Sequence, residues 1–100
     1  MEFLPVTGAL GAFVSGVDLT GPLTDAEVDE LYQGLILHKV LFFRDQPLSP
    51  TSHLALAEAL GEVDPGHPVY PHVDGFQSIV ELIADAEHPP DTEDWHKDLT

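Results

Sequence analysis

The sequence contains no cysteine, so disulfide bridges and thiolate metal sites are excluded. It has almost no positive charge: three Lys and Arg stand against eighteen Asp and Glu, giving a formal charge of −15. Nucleic acids and anionic membranes are poor partners for such a chain, because phosphate binding needs clustered cations. It also lacks a long apolar run. "LILHKVLFF" is interrupted by His38 and Lys39, well short of the ~20 apolar residues that a membrane span requires. The start, "MEFLPVTGAL", has no basic segment before its apolar stretch and is a poor secretory signal. These absences point to a soluble, cytoplasmic protein.

What is present fits one globular domain over residues 1–100. The hydrophobic fraction of 43% is that of a folded chain, and a chain of this length buries a core with a modest margin of stability. Residues 3–19 mix apolar residues with Gly8, Gly11 and Gly16, a pattern of short strands and tight turns. "GPLTDAEVDELYQGLILHK" predicts a helix. Thr24 is its N-cap, Glu27 completes a capping box, and Leu23 and Val28 stand at staple positions. Val28, Leu31, Tyr32, Leu35 and Ile36 recur at helical spacing and predict the buried face. Lys39 suits the helix end.

"VLFF", residues 40–43, is a continuous apolar run and predicts a strand covered on both faces. Ser49 and Pro50 open a second helix lined by Leu54, Ala57 and Leu60, with Gly61 at its end. "DPGHPVYPHVDG", residues 64–75, reads as an ordered loop, and "SIVELI", residues 78–83, as a strand. A polar loop over 84–94 leads to a strand start at Trp95. Strands, two helices and further strands in that order give an α+β class rather than regular βαβ alternation.

Chemistry concentrates at the end, in "DTEDWHKDLT". On a strand, residues i and i+2 share a face. His96 and Asp98 would then present an imidazole and a carboxylate side by side. With a third ligand they would form the 2-His-1-carboxylate triad of non-haem Fe(II) oxygenases. The spacing alone is cheap: six histidines and many aspartates also produce His72-Val73-Asp74, inside the Pro- and Gly-rich loop. Both pairs stay open on this ground. The acidic stretch Glu81–Asp94, free of Lys and Arg, would tolerate a divalent cation. The other chemistry-bearing residues have simpler readings. His38 and His53 read as surface or capping residues, and His88 as solvated. Arg44 reads as paired with Asp45 or a carbonyl, and Trp95 as a core anchor.

Three stretches carry a resemblance. "GAFVSGVDLTGPLTDAEVDELYQGLILHKVLFFRDQPLSPTSHLALAEALGEV", then "GHPVYPH", then "PPDTEDWHKDLT" resemble the N-terminal part of the taurine dioxygenase family. These are Fe(II)- and 2-oxoglutarate-dependent dioxygenases. The most specific pieces are "SGVDLTGPL", "VLFFRDQ" and "WHKDLT", in that order. The resemblance implies the first portion of a double-stranded β-helix, or jelly roll, with two flanking helices. It implies His96 and Asp98 as iron ligands, 2-oxoglutarate as co-substrate, molecular oxygen, and a small organic acid such as a sulfonate as substrate. His67 and Tyr70, in the "HPVYPH" loop, become the substrate-binding candidates; a His N–H and a Tyr O–H both donate to anionic oxygens. Thr92 stands where the taurine enzymes carry Asn, which puts taurine itself in doubt.

The family's distal His and its 2-oxoglutarate-binding Arg have no match up to Thr100. The sequence therefore predicts an incomplete domain, inactive alone, with exposed sheet edges that favour association, a homo-oligomer included. The competing reading is a non-catalytic acidic α+β interaction module that keeps the first half of the fold.

Overall fold

The structure is a computed structural model that describes residues 1–66, 70–89 and 95 of the chain. The elements run β1 (Glu2–Pro5), β2 (Ala12–Ser15), α1 (Asp25–His38), β3 (Leu41–Phe43), α2 (Pro50–Leu60), β4 (His72–Val73) and β5 (Phe76–Val80). They fall into two compact units, Met1–Asp64 and Pro65–Thr100.

In the first unit three strands form one sheet in the order β1-β2-β3. β1 and β2 are antiparallel, whereas β2 and β3 are parallel. A parallel pair needs a crossover, and α1 supplies it. The class is α+β as read from sequence, but it contains this one β2-α1-β3 unit that the element order had argued against.

α1 starts where the sequence placed it. The Thr24 hydroxyl accepts from Glu27 N at 3.1 Å, and the Glu27 carboxylate accepts from Thr24 N at 3.0 Å. The helix ends as Lys39 N donates to Leu35 O, with Lys39 at φ 71°. Its buried face is narrower than the apolar spacing predicted. Leu31 and Gly34 are buried and Val28 is half-buried, but Tyr32, Leu35 and Ile36 are exposed. Gly34 is there for space. A Cβ on it would come within 2.2 Å of Phe3 Cε1, so the Phe3 ring lies directly against the helix backbone. That ring also stacks on His38, with centroids 5.8 Å apart. His38 is thus half-buried against an aromatic ring rather than a plain surface residue.

α2 is capped by Ser49, with Pro50 in its first turn. Gly61 N donates to Ala57 O at 3.1 Å, closing the helix in extended rather than left-handed geometry. Leu56 of α2 packs against the buried cluster of Val14, Leu19 and Leu31, while Ala57 is exposed. Leu54 and Leu60 are half-buried as expected, so the inward face takes in Leu56 in place of Ala57. Each fully buried aliphatic side chain contributes about 1.5–3 kcal/mol, so so few buried residues make a thin core.

The strand "VLFF" is covered on one face. Leu41 and Phe43 pack inward, whereas Phe42 is exposed. The alternation of strand side chains sends neighbours to opposite faces, and both helices sit on the same one.

Gln46 ties the first unit together. Its Oε1 accepts from Leu19 N at 2.8 Å, and its Nε2 donates to Val17 O at 3.1 Å. One amide so locks the loop after β2 to the loop after β3. Asp18, in the clamped loop, accepts from the Thr20 hydroxyl and from Thr20 N. These bonds hold its carboxyl below its usual pKa.

The second unit corrects the reading of residues 64–75 as loop throughout. Val73 pairs with Phe76 across the two-residue turn Asp74-Gly75, with Gly75 at φ 80°. Asp-Gly is the strong hairpin signal, here hidden among prolines. β5 ends at Val80, so Leu82 and Ile83 fall outside the strand predicted over 78–83 and are exposed. Gly66, at φ 122°, lies against β5: a Cβ there would come within 2.2 Å of Gln77 O.

Two substitutions check these constraints. Gln46→Ala removes two hydrogen bonds and strands a part-buried amide and carbonyl, so it should cost about 2 kcal/mol in urea unfolding; an unchanged midpoint would contradict the clamp. Gly66→Ala adds a forbidden contact to a disfavoured φ and should cost about 3 kcal/mol. The backbone amide resonances of 70–81 should shift while those of 1–64 hold; unmoved resonances in 70–81 would contradict the close approach.

Candidate functional site

The residues singled out for chemistry lie in the second unit. Tyr70 is half-buried and stands just before β4. Its neighbour Pro71 accepts from Glu81 N at 2.8 Å, which joins the strand that follows Tyr70 to the end of β5. Gly66 precedes the "HPV" tripeptide with its backbone against Gln77. Two backbone contacts to the hairpin are therefore made, at Gly66 and at Pro71. His67, His96 and Asp98 lie outside the described residues, as do Thr92 and, Trp95 excepted, the strand expected from Trp95 to Leu99.

The rival pair is described. His72 is exposed on β4, with Nδ1 3.0 Å from Val73 O, while Asp74 occupies the hairpin turn. The i, i+2 rule for a shared strand face does not apply to them, because β4 ends at Val73. Among the described residues, no group of three or more His, Cys, Asp or Glu side chains could hold a metal ion.

Between β5 and "PPDTEDWHKD" the chain makes a turn built on Asp85. Its Oδ1 accepts from His88 N at 2.7 Å and Glu87 N at 2.9 Å, and lies 3.2 Å from His88 Nδ1. Asp85 N in turn donates to His88 O. The His88 and Glu87 backbone N–H groups, in that order, hold the Asp85 carboxyl below its usual pKa, with a smaller part from the His88 ring. The group is exposed, so this shapes the turn more than it stabilises the unit. His88 was expected to be solvated; it is exposed but paired with Asp85. The signal was legible, since Asp two or three residues before free backbone N–H groups is a turn former.

Arg44 departs from its expected pairing. Its guanidinium lies 4.7 Å from the centre of the Phe13 ring, a cation–π contact. Trp95, expected in the core, is fully exposed. Gln46 went unnoticed in the sequence; its place after a strand and before proline gives no sign of which backbone groups it meets.

Among the described residues, no helix is long and apolar enough to cross a membrane. The family model described as "Taurine catabolism dioxygenase TauD, TfdA family" matches residues 2–100. An alpha-ketoglutarate-dependent sulfate ester dioxygenase of Pseudomonas putida is 38% identical over all of this chain and 33% of its own length. An alkylsulfatase of Acinetobacter baylyi is 36% identical over all of this chain and 31% of its own. A crystal structure of a taurine dioxygenase from Burkholderia xenovorans is 39% identical, with a TM-score of 0.72 over 76% of this chain and 27% of that one. The chain spans about a third of the length of the curated relatives it matches. It belongs to the TauD/TfdA family of dioxygenases.

Proposed function

We propose that the chain forms the first part of one double-stranded β-helix domain of an Fe(II)- and 2-oxoglutarate-dependent dioxygenase. The observation that carries this reading is the family match from residue 2 to residue 100, which runs through "WHKDLT". His96 and Asp98 are the proposed metal ligands. Their donor set suits Fe(II), since a neutral imidazole and a carboxylate are the ligand types of the facial triad. Of the rival pair, His72 lies on β4 and Asp74 in the turn that follows it. When bound, the iron and 2-oxoglutarate supply the oxidising chemistry; the chain's part is to hold metal and substrate in register.

The proposed substrate is a small molecule with a terminal –SO3⁻ group, either a sulfonate or an alkyl sulfate ester. The names of the relatives support this: one acts on sulfate esters and another on taurine. His67 and Tyr70 are the proposed donors to that group. A chain of net charge −15 repels anions at long range, so the anion must be held by such local hydrogen bonds. Thr92 in place of the Asn of the taurine enzymes fits a substrate other than taurine. Nothing in the comparisons favours the non-catalytic interaction module.

The test replaces the matched segment of the Pseudomonas putida enzyme with residues 1–100 and follows succinate and sulfate release. His96→Ala and Asp98→Ala should each lower turnover at least about 100-fold, with His72→Ala near the parent. Tyr70→Phe should raise KM about tenfold, as loss of a hydrogen bond to a charged group does. Loss of activity in His72→Ala with His96→Ala unaffected would overturn the assignment.

A further inference from the structure

The sequence has no asparagine and a single Asp-Gly pair, Asp74-Gly75. That pair forms the whole turn between β4 and β5, with Val73 paired to Phe76 across it. The turn is loosely made. Gly75 stands at φ 80°, whereas Asp74 is not among the positive-φ residues. The turn is therefore not type I′, which needs positive φ at both central residues and matches the twist of the strands. Positive φ at the second central residue alone splays the strands that the turn joins. The ladder reflects this: β4 is two residues long, and the register shifts between His72 and Val73. A two-stranded hairpin is marginally stable in water, so this one opens easily.

Both groups of the pair are accessible. Asp74 and Gly75 are exposed. Among the described residues, the Asp74 carboxyl and the Gly75 N–H have no hydrogen-bond partner. Space around Gly75 is open, since even a Cβ there would meet nothing within 4 Å. Asp25-Ala26 and Asp85-Ala86 are the next least hindered pairs. The first lies in the opening turn of α1. In the second, the Asp85 carboxyl is held by Glu87 N at 2.9 Å and His88 N at 2.7 Å. Asp64 is followed by Pro65, which has no N–H to give.

We propose that Asp74-Gly75 is a site of spontaneous isoaspartate formation, a modification that needs no reactant but water. The Gly75 nitrogen attacks Cγ of the Asp74 carboxyl in its acid form. An N–Cγ bond forms, the Gly75 N–H proton and the carboxyl hydroxyl leave as one water, and a five-membered succinimide results. A second water reopens the ring. Where it breaks the bond from the Asp74 main-chain carbonyl carbon to Gly75 N, the chain continues through Cγ and the α-carboxylate becomes the side group. One water is lost and one gained, so the mass is unchanged. The main chain gains one atom, the Asp74 Cβ, inside the turn. Turn geometry sets hairpin register, and a two-residue turn with an extra atom no longer holds Val73 opposite Phe76. The modification thereby unpairs β4 and releases the Pro71 contact to Glu81 beside it. It does not rest on the chemistry proposed above.

The 100-residue chain is kept at physiological temperature and mildly acidic pH, beside a synthetic peptide of residues 70–80 that gives the rate of the unfolded sequence. Isoaspartate is counted by methyl transfer from labelled S-adenosylmethionine with a protein isoaspartyl methyltransferase. It is located by peptide mapping with electron-transfer fragmentation. Asp74 should convert at no less than about a tenth of the peptide's rate, as an easily opened hairpin allows, with Asp25 and Asp85 at least about tenfold slower than Asp74. Asp74→Glu should abolish the signal, because its longer side chain would have to close a six-membered ring. A slower rate at Asp74, or an equal rate at Asp85, would overturn the proposal.

The modified species, separated by chromatography, gives the second reading. Amide hydrogen exchange should quicken over residues 72–80 and stay the same over 1–64. Unchanged exchange over 72–80 would overturn the claim that the modification unpairs β4.

Discussion

The parallel pairing of β2 with β3 is the constraint on which the first unit depends. Antiparallel strands can be joined by a turn, but parallel strands need the chain to return to its starting edge. α1 makes that return, and it must leave and land at fixed places. The capping box at Thr24 fixes the departure. The landing is fixed by Gly11 N donating to His38 O at 2.7 Å and Ala12 N to Val40 O at 3.0 Å. Gln46 then closes the unit by binding the loop that follows β2. The motifs "SGVDLTGPL" and "VLFFRDQ" are far apart in sequence, yet one amide side chain satisfies a donor and an acceptor of the first from within the second. Their joint appearance has a physical reason, because neither loop is fully hydrogen-bonded without the other.

The second unit uses backbone contact in the same way. Gly66 lies against Gln77, Pro71 O accepts from Glu81 N, and the Asp74-Gly75 turn sets the register of β4 on β5. Gly66 and Pro71 are thereby bound to the hairpin, with Tyr70 next to the second of them.

Local signals were legible in the sequence and tertiary ones were not. The caps at Thr24 and Ser49 follow from residue types three apart, and both helices start where those residues put them. Helix spacing named Leu31 correctly but overstated the buried face, because Tyr32, Leu35 and Ile36 stay exposed among the described residues. "VLFF" reads as a strand covered twice, and its composition is that of one; the described structure supplies only one cover. The Asp-Gly hairpin was masked by the prolines around it. Gln46 and Arg44 act across long sequence separations, which neither periodicity nor spacing can encode. At the site, Tyr70 alone of the four candidate residues is among those described. The preference for His96 and Asp98 over His72 and Asp74 came from the surrounding motifs, not from spacing.

The central claim is that His96 and Asp98 hold iron in a member of this family. The most direct measurement is an anomalous-difference map at the iron edge, from anaerobic crystals of the chimera carrying residues 1–100 grown with Fe(II). The account predicts one iron peak about 2.0–2.2 Å from a ring nitrogen of His96 and a carboxylate oxygen of Asp98. An iron peak at His72 and Asp74, or one with neither His96 nor Asp98 beside it, would contradict it.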